Sequence, residues 1–120
     1  MTLSKGSPAS PIGIFDSGIG GLTVLKEIGR EIPSEDIVYF GDTAHLPYGT
    51  KSKETITKFS MDNIRFLQSF DVKMVIVACN TASSLSLEAV KEKFPMPIIG
   101  VIEPGARQAL TQTKNGRIGI

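Results

Sequence analysis

Short apolar runs alternate along the chain with longer segments in which apolar residues recur at helical spacing. The runs predict strands at residues 11–15, 36–40, 72–78 and 97–102, and a fifth strand that begins at 117–120. The longer segments predict helices that begin near Leu22, Ser52, Ser83 and Pro104. Strands that alternate with helices in this way are typical of an α/β fold, here an open parallel sheet with flanking helices.

The first two predicted helices each have an apolar face. The first helix stops at Pro33 and places on one face Leu22, Leu25, Ile28 and Ile32. The second places on one face Ile56, Phe59, Asn63, Leu67 and Phe70, so we expect it to cover one side of the sheet. The third helix is expected to run to Phe94, and Pro104 is expected at the first position of the fourth.

The length of 120 residues suits one domain. We interpret residues 1–10 as a flexible N-terminal tail and residues 11–120 as one α/β domain. Because the apolar alternation of residues 117–120 has no helix after it, we expect this domain to be truncated in its fifth strand, with a second domain absent.

Composition excludes several classes of protein. With 13 Lys and Arg against 12 Asp and Glu, the chain has no excess positive charge for binding nucleic acid. No apolar run approaches the roughly 18 residues that a membrane span needs, and the first residues lack the apolar core of a secretory signal. The single cysteine cannot form an internal disulfide, which favours a cytoplasmic protein.

Chemically useful residues follow the predicted strands. In open parallel sheets, ligands bind in the crevice at the carboxyl ends of the strands. The sequence places at those ends Asp16-Ser17, Gly41-Asp42, Cys79-Asn80-Thr81 and Glu103. No spacing of Cys, His, Asp or Glu matches a metal site. We therefore expect the functional site at this edge, although Asp42 and Glu103 could be capping carboxylates only.

Cys79 is the first candidate for chemistry. It lies between a buried strand and the start of a helix, where backbone N–H groups favour a thiolate. Asn80, Thr81 or Ser83 is expected to cap that helix. A buried structural cysteine is the alternative, but the polar residues after it favour a reactive thiol. A cysteine phosphatase loop is excluded, because Leu85 stands where that loop needs arginine.

The glycine-rich loop 16–21 is the second candidate. Its glycines allow successive N–H groups to surround an anion at a helix start, although a tight turn would need them too. Thr23 stands where a dinucleotide-binding fingerprint requires glycine, so the loop is not a dinucleotide-binding motif. Asp16 and Ser17 are expected to contact a carboxylate or an ammonium group. His45 is the sole histidine and stays open as a second proton donor.

Five motifs together resemble those of the glutamate racemases, within the aspartate/glutamate racemase family. They are residues 14–22 (IFDSGIGGL), 41–43 (GDT), 47–49 (PYG), 77–82 (VACNTA) and 100–105 (GVIEPG). Their order is the family's, and they extend from about residue 12 to the end of the chain. The aspartate racemases are similar around C-N-T-A, but they usually carry His where this chain has Ser83, and they lack the D-S-G-x-G-G segment.

This resemblance implies an isomerase that interconverts L- and D-glutamate without a cofactor or metal and supplies D-glutamate for peptidoglycan, and so for cell-wall biogenesis and cell shape. It implies two similar α/β domains with one catalytic cysteine on each side of the substrate. Cys79 resembles the first of these proton donors and acceptors, with Asp16 assisting it. The substrate-binding pairs implied are Asp16-Ser17, Tyr48-Gly49 and Asn80-Thr81.

The second catalytic cysteine belongs to the half that this chain does not contain. We therefore expect the 120-residue chain to be inactive by itself, and the full-length protein to form a homodimer. Two alternatives stay open at this point: a racemase of another acidic amino acid, and a catalytically idle domain that binds anions.

Overall fold

The computed structural model describes residues 6–119, which form four strands and five α-helices. The strands are β1 (Ile12–Asp16), β2 (Ile37–Gly41), β3 (Met74–Val77) and β4 (Ile98–Gly100). The helices are α1 (Leu22–Glu31), α2 (Lys53–Gln68), α3 (Asn80–Leu85), α4 (Leu87–Lys93) and α5 (Ile102–Gln112). The strands pair in parallel in the order β2-β1-β3-β4. The predicted open parallel sheet with flanking helices is confirmed.

The order of the strands places the helices on both faces of the sheet. From β1 the chain moves outward to β2, and from β2 it crosses back over β1 to β3. Since such crossovers are right-handed, α1 lies on one face and α2 on the other. The main core lies under α2, where Phe15, Val75 and Val77 pack against Ile64 and Leu67.

The opposite face of the sheet is less well covered. The helix α1 has its predicted apolar face, but none of its residues is buried, and Leu22 is 45% exposed. On the strands of this face, Ile14 of β1 is fully buried, whereas Ile99 of β4, at the edge of the sheet, is 44% exposed. No residue of α5 is buried either. Within residues 6–119 the sheet therefore has one thickly covered face and one thinly covered face.

The helix predicted from Ser83 to Phe94 is wrong in its bounds, because it is two helices. The first begins earlier, at Asn80, and the backbone breaks at Ser86, where φ is −119° and ψ is −7°. The buried Ser86 hydroxyl donates to the carbonyl of Ala82 at 2.7 Å and lies 2.8 Å from the hydroxyl of Ser60 on α2. A side chain that bonds the preceding turn in this way bends a helix.

Two further boundaries also differ from the sequence prediction. The helix α5 begins at Ile102, so Pro104 is its third residue rather than its first; a proline is tolerated there because first-turn N–H groups have no helical acceptor. Strand β4 ends at Gly100, and residues 117–119 form no fifth strand. The last residue of that predicted strand, Ile120, lies outside the described residues.

The predicted tail falls partly outside the described residues, which begin at Gly6. Ser10 is buried, and its hydroxyl donates to Asp71 at 3.1 Å. Lys73 donates to the carbonyl of Pro8 at 2.7 Å. The boundary between residues 1–10 and 11–120 stays a prediction. None of the helices within residues 6–119 combines the length and the apolar character that a bilayer crossing demands.

A buried polar network holds the loop between β2 and α2 in place. Tyr48 is 2% exposed, and its hydroxyl donates to Asp42 and accepts from the Asn63 amide at 2.8 Å. The same carboxylate lies 2.8 Å from Nδ1 of His45, whose ring stacks on Phe59 at 3.9 Å between centroids. The network ties the end of β2, the loop and α2 together.

Replacing Leu67 tests the core under α2. This side chain is fully buried, so Leu67→Ala should lower the free energy of unfolding by about 2–5 kcal/mol. Leu110 is 71% exposed on α5, so the matched control Leu110→Ala should change it by less than about 0.5 kcal/mol. Urea unfolding measures both. Equal losses in the two variants would contradict this assignment of the core.

The buried hydroxyl of Tyr48 makes stability depend on alkaline pH. Burial, followed by the hydrogen bond to Asp42, raises the pKa of Tyr48 above its ordinary value of 10.0. Above that pH the unfolded chain loses a proton that the folded chain keeps. The contribution of Tyr48 to the free energy of unfolding is therefore fully present below pH 10 and is lost as the pH rises above it. The slope for this one group approaches about 1.4 kcal/mol per pH unit.

Tyr48→Phe removes the hydroxyl that causes this pH dependence of stability. The variant should be less stable than the parent by about 1–3 kcal/mol near neutral pH, because Asp42 loses a buried hydrogen-bond donor. Above pH 10 its stability should decline less steeply than that of the parent. Urea unfolding at several pH values on both sides of 10 decides this. Parallel declines of the two proteins would show that Tyr48 titrates normally in the folded chain.

Candidate active site

The candidate site is a cavity at the carboxyl ends of β1 and β3, the central pair of strands. The strand order changes direction between these two strands, and ligands bind at such a switch point in open α/β sheets. The cavity has a volume of about 630 Å³. Its walls are residues 16–21, the first turn of α1 at Thr23 and Val24, and residues 78–81 at the end of β3 and the start of α3, with Leu46 and Val101 at the sides.

The carboxylate of Asp16 is held by its own loop. It is 6% exposed, and Oδ2 accepts from the N–H of Gly18 at 3.2 Å and from that of Gly21 at 2.9 Å. Two of the N–H groups that were expected to surround a bound anion therefore bind Asp16 of the same loop instead. Ser17 follows at the cavity wall and is half-buried.

Two glycines in this region are required by close contacts. A Cβ at Gly21 would lie 2.6 Å from the Cβ of Asp16 and 2.9 Å from the hydroxyl of Tyr39. A Cβ at Gly41 would lie 2.5 Å from the carbonyl oxygen of Gly18. The loop therefore packs directly on the ends of β1 and β2, with no space for larger residues.

Cys79 lies across the cavity from this loop, at the start of α3. Its side chain is 5% exposed, and Sγ accepts from the N–H of Ala82 at 3.4 Å. The thiol itself is thus the helix cap, which corrects the expectation that Asn80, Thr81 or Ser83 fills this position.

The residues after Cys79 divide between the cavity and the core. Asn80 and Thr81 line the cavity, the first exposed and the second half-buried. Ser83 is buried, donates to the carbonyl of Val77 at 2.9 Å and accepts from the N–H of Val101 at 3.2 Å. It therefore fixes α3 against β3 and the start of α5.

The pair Tyr48-Gly49 is close to the site but not on the cavity wall. The Tyr48 side chain is buried, its hydroxyl donates to Asp42, and it is not among the residues that line the cavity. Gly49 is exposed, and a Cβ there would lie 3.9 Å from Oγ1 of Thr81. Of this pair, Gly49 therefore lies beside the predicted substrate-binding residue Thr81.

The remaining candidates lie elsewhere. His45 is bonded to Asp42 and stacked on Phe59, outside the cavity wall. Glu103 lies near a separate groove of about 520 Å³ between α4, β4 and α5, where Arg107 donates to it. Within residues 6–119, no three Asp, Glu, His or Cys side chains are grouped so that they could hold a metal ion.

Tyr39 is a site residue that the sequence reasoning missed. It lies on β2, and its hydroxyl donates to the carbonyl of Gly18 at 2.9 Å. Burial, followed by the negative charge of Asp16, raises the pKa of Tyr39, so its hydroxyl stays protonated as a donor. The one available signal was a tyrosine among the apolar residues of a strand that ends beside β1.

The electrostatic character of the cavity is simple. Asp16 is the one charged residue among those that line it within the described part of the chain. Ser17, Thr23 and Thr81 add hydroxyl groups, and Asn80 adds an amide. The arrangement can offer a thiol as a base, a carboxylate in the same cavity, and neutral donors for an anionic ligand.

Comparison with known proteins finds relatives of similar sequence and the same fold. The glutamate racemase of Geobacter metallireducens is 57% identical over 113 residues, which is 94% of this chain and 42% of that protein. The structure of glutamate racemase from Aquifex pyrophilus superimposes with a TM-score of 0.88 at 51% identity, over 91% of this chain and 43% of that one.

A structure of glutamate racemase from Francisella tularensis in complex with D-glutamate matches with a TM-score of 0.79 at 48% identity, over 84% of this chain and 39% of that one. The chain thus spans about two fifths of the length of the relatives it matches. The family model for Asp/Glu/Hydantoin racemase matches residues 12–120. This chain therefore belongs to the Asp/Glu/hydantoin racemase family.

Proposed function

We propose that this chain forms one side of the active site of a glutamate racemase. The enzyme interconverts L- and D-glutamate without a cofactor and supplies D-glutamate for peptidoglycan in the cytoplasm, acting as a homodimer at its natural length. The observation that supports this most directly is the cavity that places Cys79 opposite Asp16 at the switch point of the sheet. The glutamate racemases named above make glutamate the first substrate to test.

The polar groups of the cavity suit an amino acid with two carboxylates. The hydroxyls of Ser17 and Thr81 and the Asn80 amide can donate to carboxylate oxygens. Asp16 supplies a negative charge for the ammonium group. The exposed main chain of Gly49, beside Thr81, adds a backbone donor at the edge of the cavity.

In the proposed mechanism Cys79 acts first as a thiolate base. It takes the proton from the α-carbon, and the electron pair of that bond is left on the substrate as a carbanion stabilised by the surrounding donors. Asp16 assists the transfer between sulfur and carbon. Cys79 ends protonated, and a second acid must return a proton on the opposite face. The resemblance to the family assigns that acid to a second cysteine outside this chain.

Replacing Cys79 tests the proposed function. In the protein at its natural length, Cys79→Ser should keep the fold and reduce racemisation of either enantiomer by about 10²–10⁴-fold, since a hydroxyl is a far weaker acid than a thiol. Chiral chromatography of the products from L- and D-glutamate measures the loss. L- and D-aspartate run in parallel test the substrate.

The matched control is Ser84→Ala, an exposed position on the same helix and outside the cavity wall, which should leave turnover unchanged. Faster turnover of aspartate than of glutamate by the parent protein would reject glutamate as the substrate. Full activity of Cys79→Ser would reject the thiol as a base, and an inactive parent would reject the racemase proposal itself.

Asp16→Asn separates catalysis from binding. Both loop hydrogen bonds to Asp16 use one oxygen, so an asparagine carbonyl at that position can keep them while removing the charge. We expect kcat to fall about a hundredfold with KM changed far less, because the lost interaction belongs mainly to the transition state. Steady-state kinetics in both directions measure this.

The control for that variant is Asp62→Asn. Asp62 is an exposed carboxylate on α2 that pairs with Arg65, and its loss should leave both constants unchanged. A raised KM with unchanged kcat in Asp16→Asn would make Asp16 a binding residue only.

A further inference from the structure

We propose that Tyr39 is a positioning residue for the reaction, which acts through the glycine loop to hold the carboxylate of Asp16 in place. The inference rests on the proposed function for its catalytic consequence. It deepens that proposal by naming the group that keeps the Asp16 carboxylate in position for the reaction.

The register of the sheet places Tyr39 beside the loop. Gly41 of β2 pairs with Asp16 of β1, and Tyr39, two residues earlier, pairs with Ile14. Because side chains alternate along a strand, Tyr39 and Asp16 are on the same face of the sheet. From there the tyrosine hydroxyl reaches past the end of β1 to the carbonyl of Gly18 at 2.9 Å.

Gly18 is held by hydrogen bonds at both its N–H and its carbonyl group. Its N–H donates to Oδ2 of Asp16 at 3.2 Å, and its carbonyl accepts from Tyr39. That carbonyl also packs directly on Gly41. Removing the tyrosine hydroxyl therefore frees one end of a residue whose other end is bound to the proposed catalytic carboxylate.

A second N–H of the loop binds the same carboxylate. Gly21 also donates to Oδ2 of Asp16, at 2.9 Å, and has no space for a side chain beside Tyr39. The two N–H donors set the orientation of the carboxylate, and Tyr39 fixes the first of them from behind. Displacements of about 1 Å at a reacting group can cost a hundredfold in rate, so small changes in this loop are enough to slow proton transfer.

Tyr39→Phe is a clean test because it keeps the ring and removes only the donor. In the protein at its natural length, kcat should fall about tenfold while KM stays within about twofold, since the transition state depends on the placement of Asp16 more than binding does. Ser69→Ala, which removes an exposed hydroxyl bound to the carbonyl of Phe66 at the end of α2, is the control and should leave both constants unchanged.

A double-mutant cycle tests the route through Asp16. If Tyr39 acts through that carboxylate, Tyr39→Phe should lower kcat by less than about twofold in an Asp16→Asn background. Independent tenfold effects that multiply in the double variant would overturn this route. An unchanged kcat in Tyr39→Phe would overturn the inference directly, provided that the parent protein racemises glutamate.

Amide hydrogen exchange decides the structural step even if the parent has no racemase activity. The N–H groups of Gly18 and Gly21 should exchange at least about tenfold faster in Tyr39→Phe, while those of α2 keep their parent rates. Unchanged exchange at both glycines would show that Tyr39 does not hold the loop. Faster exchange with an inactive parent would keep Tyr39 as the holder of the loop and reject only the proposed function.

Discussion

The carboxylate of Asp16, held by two N–H groups of its own loop, is the interaction on which the candidate site depends. A buried charge is costly unless hydrogen bonds compensate it, and here Gly18 and Gly21 provide that compensation. Meeting this need brings the loop down onto the sheet so closely that Gly21 and Gly41 cannot carry side chains. The start of α1 and one wall of the cavity follow from the same requirement.

A second buried carboxylate, that of Asp42, holds the loop between β2 and α2 in place. Its N–H donates to the carbonyl of Asp16 at 2.9 Å, so the two acidic residues are joined through the ends of their strands. Its side chain accepts from Tyr48 and Asn63, which turns the tyrosine ring inward and leaves Gly49 beside Thr81. Two aspartates at adjacent strand ends thus set the geometry of both loops, although only Asp16 lines the cavity.

Features that depend on the spacing of apolar residues along the chain could be predicted from the sequence. The order of strands and helices along the chain and the placement of Asp16 and Cys79 at one cavity could be predicted, because they depend on apolar spacing and on the general position of sites in parallel sheets. The break at Ser86 could not, since the Ser86 hydroxyl that bonds the preceding turn at Ala82 is also held by Ser60, which is distant in sequence. For the same reason the inward direction of Tyr48 and the contact of Tyr39 with Gly18 were not predictable: each requires the register of β2 or the packing of α2.

The geometry of the site also limits what these residues can do. A base removes a proton from one face of a carbon atom, and a group on that face alone can return it only to the same face. Cys79 is the only cysteine in the chain, and His45 is engaged with Asp42 and Phe59 away from the cavity. Asp16 is bound to its own loop on the same sheet edge as Cys79. Under the proposed mechanism, inversion of an amino acid at this cavity therefore requires a further acid on the face of the substrate opposite Cys79.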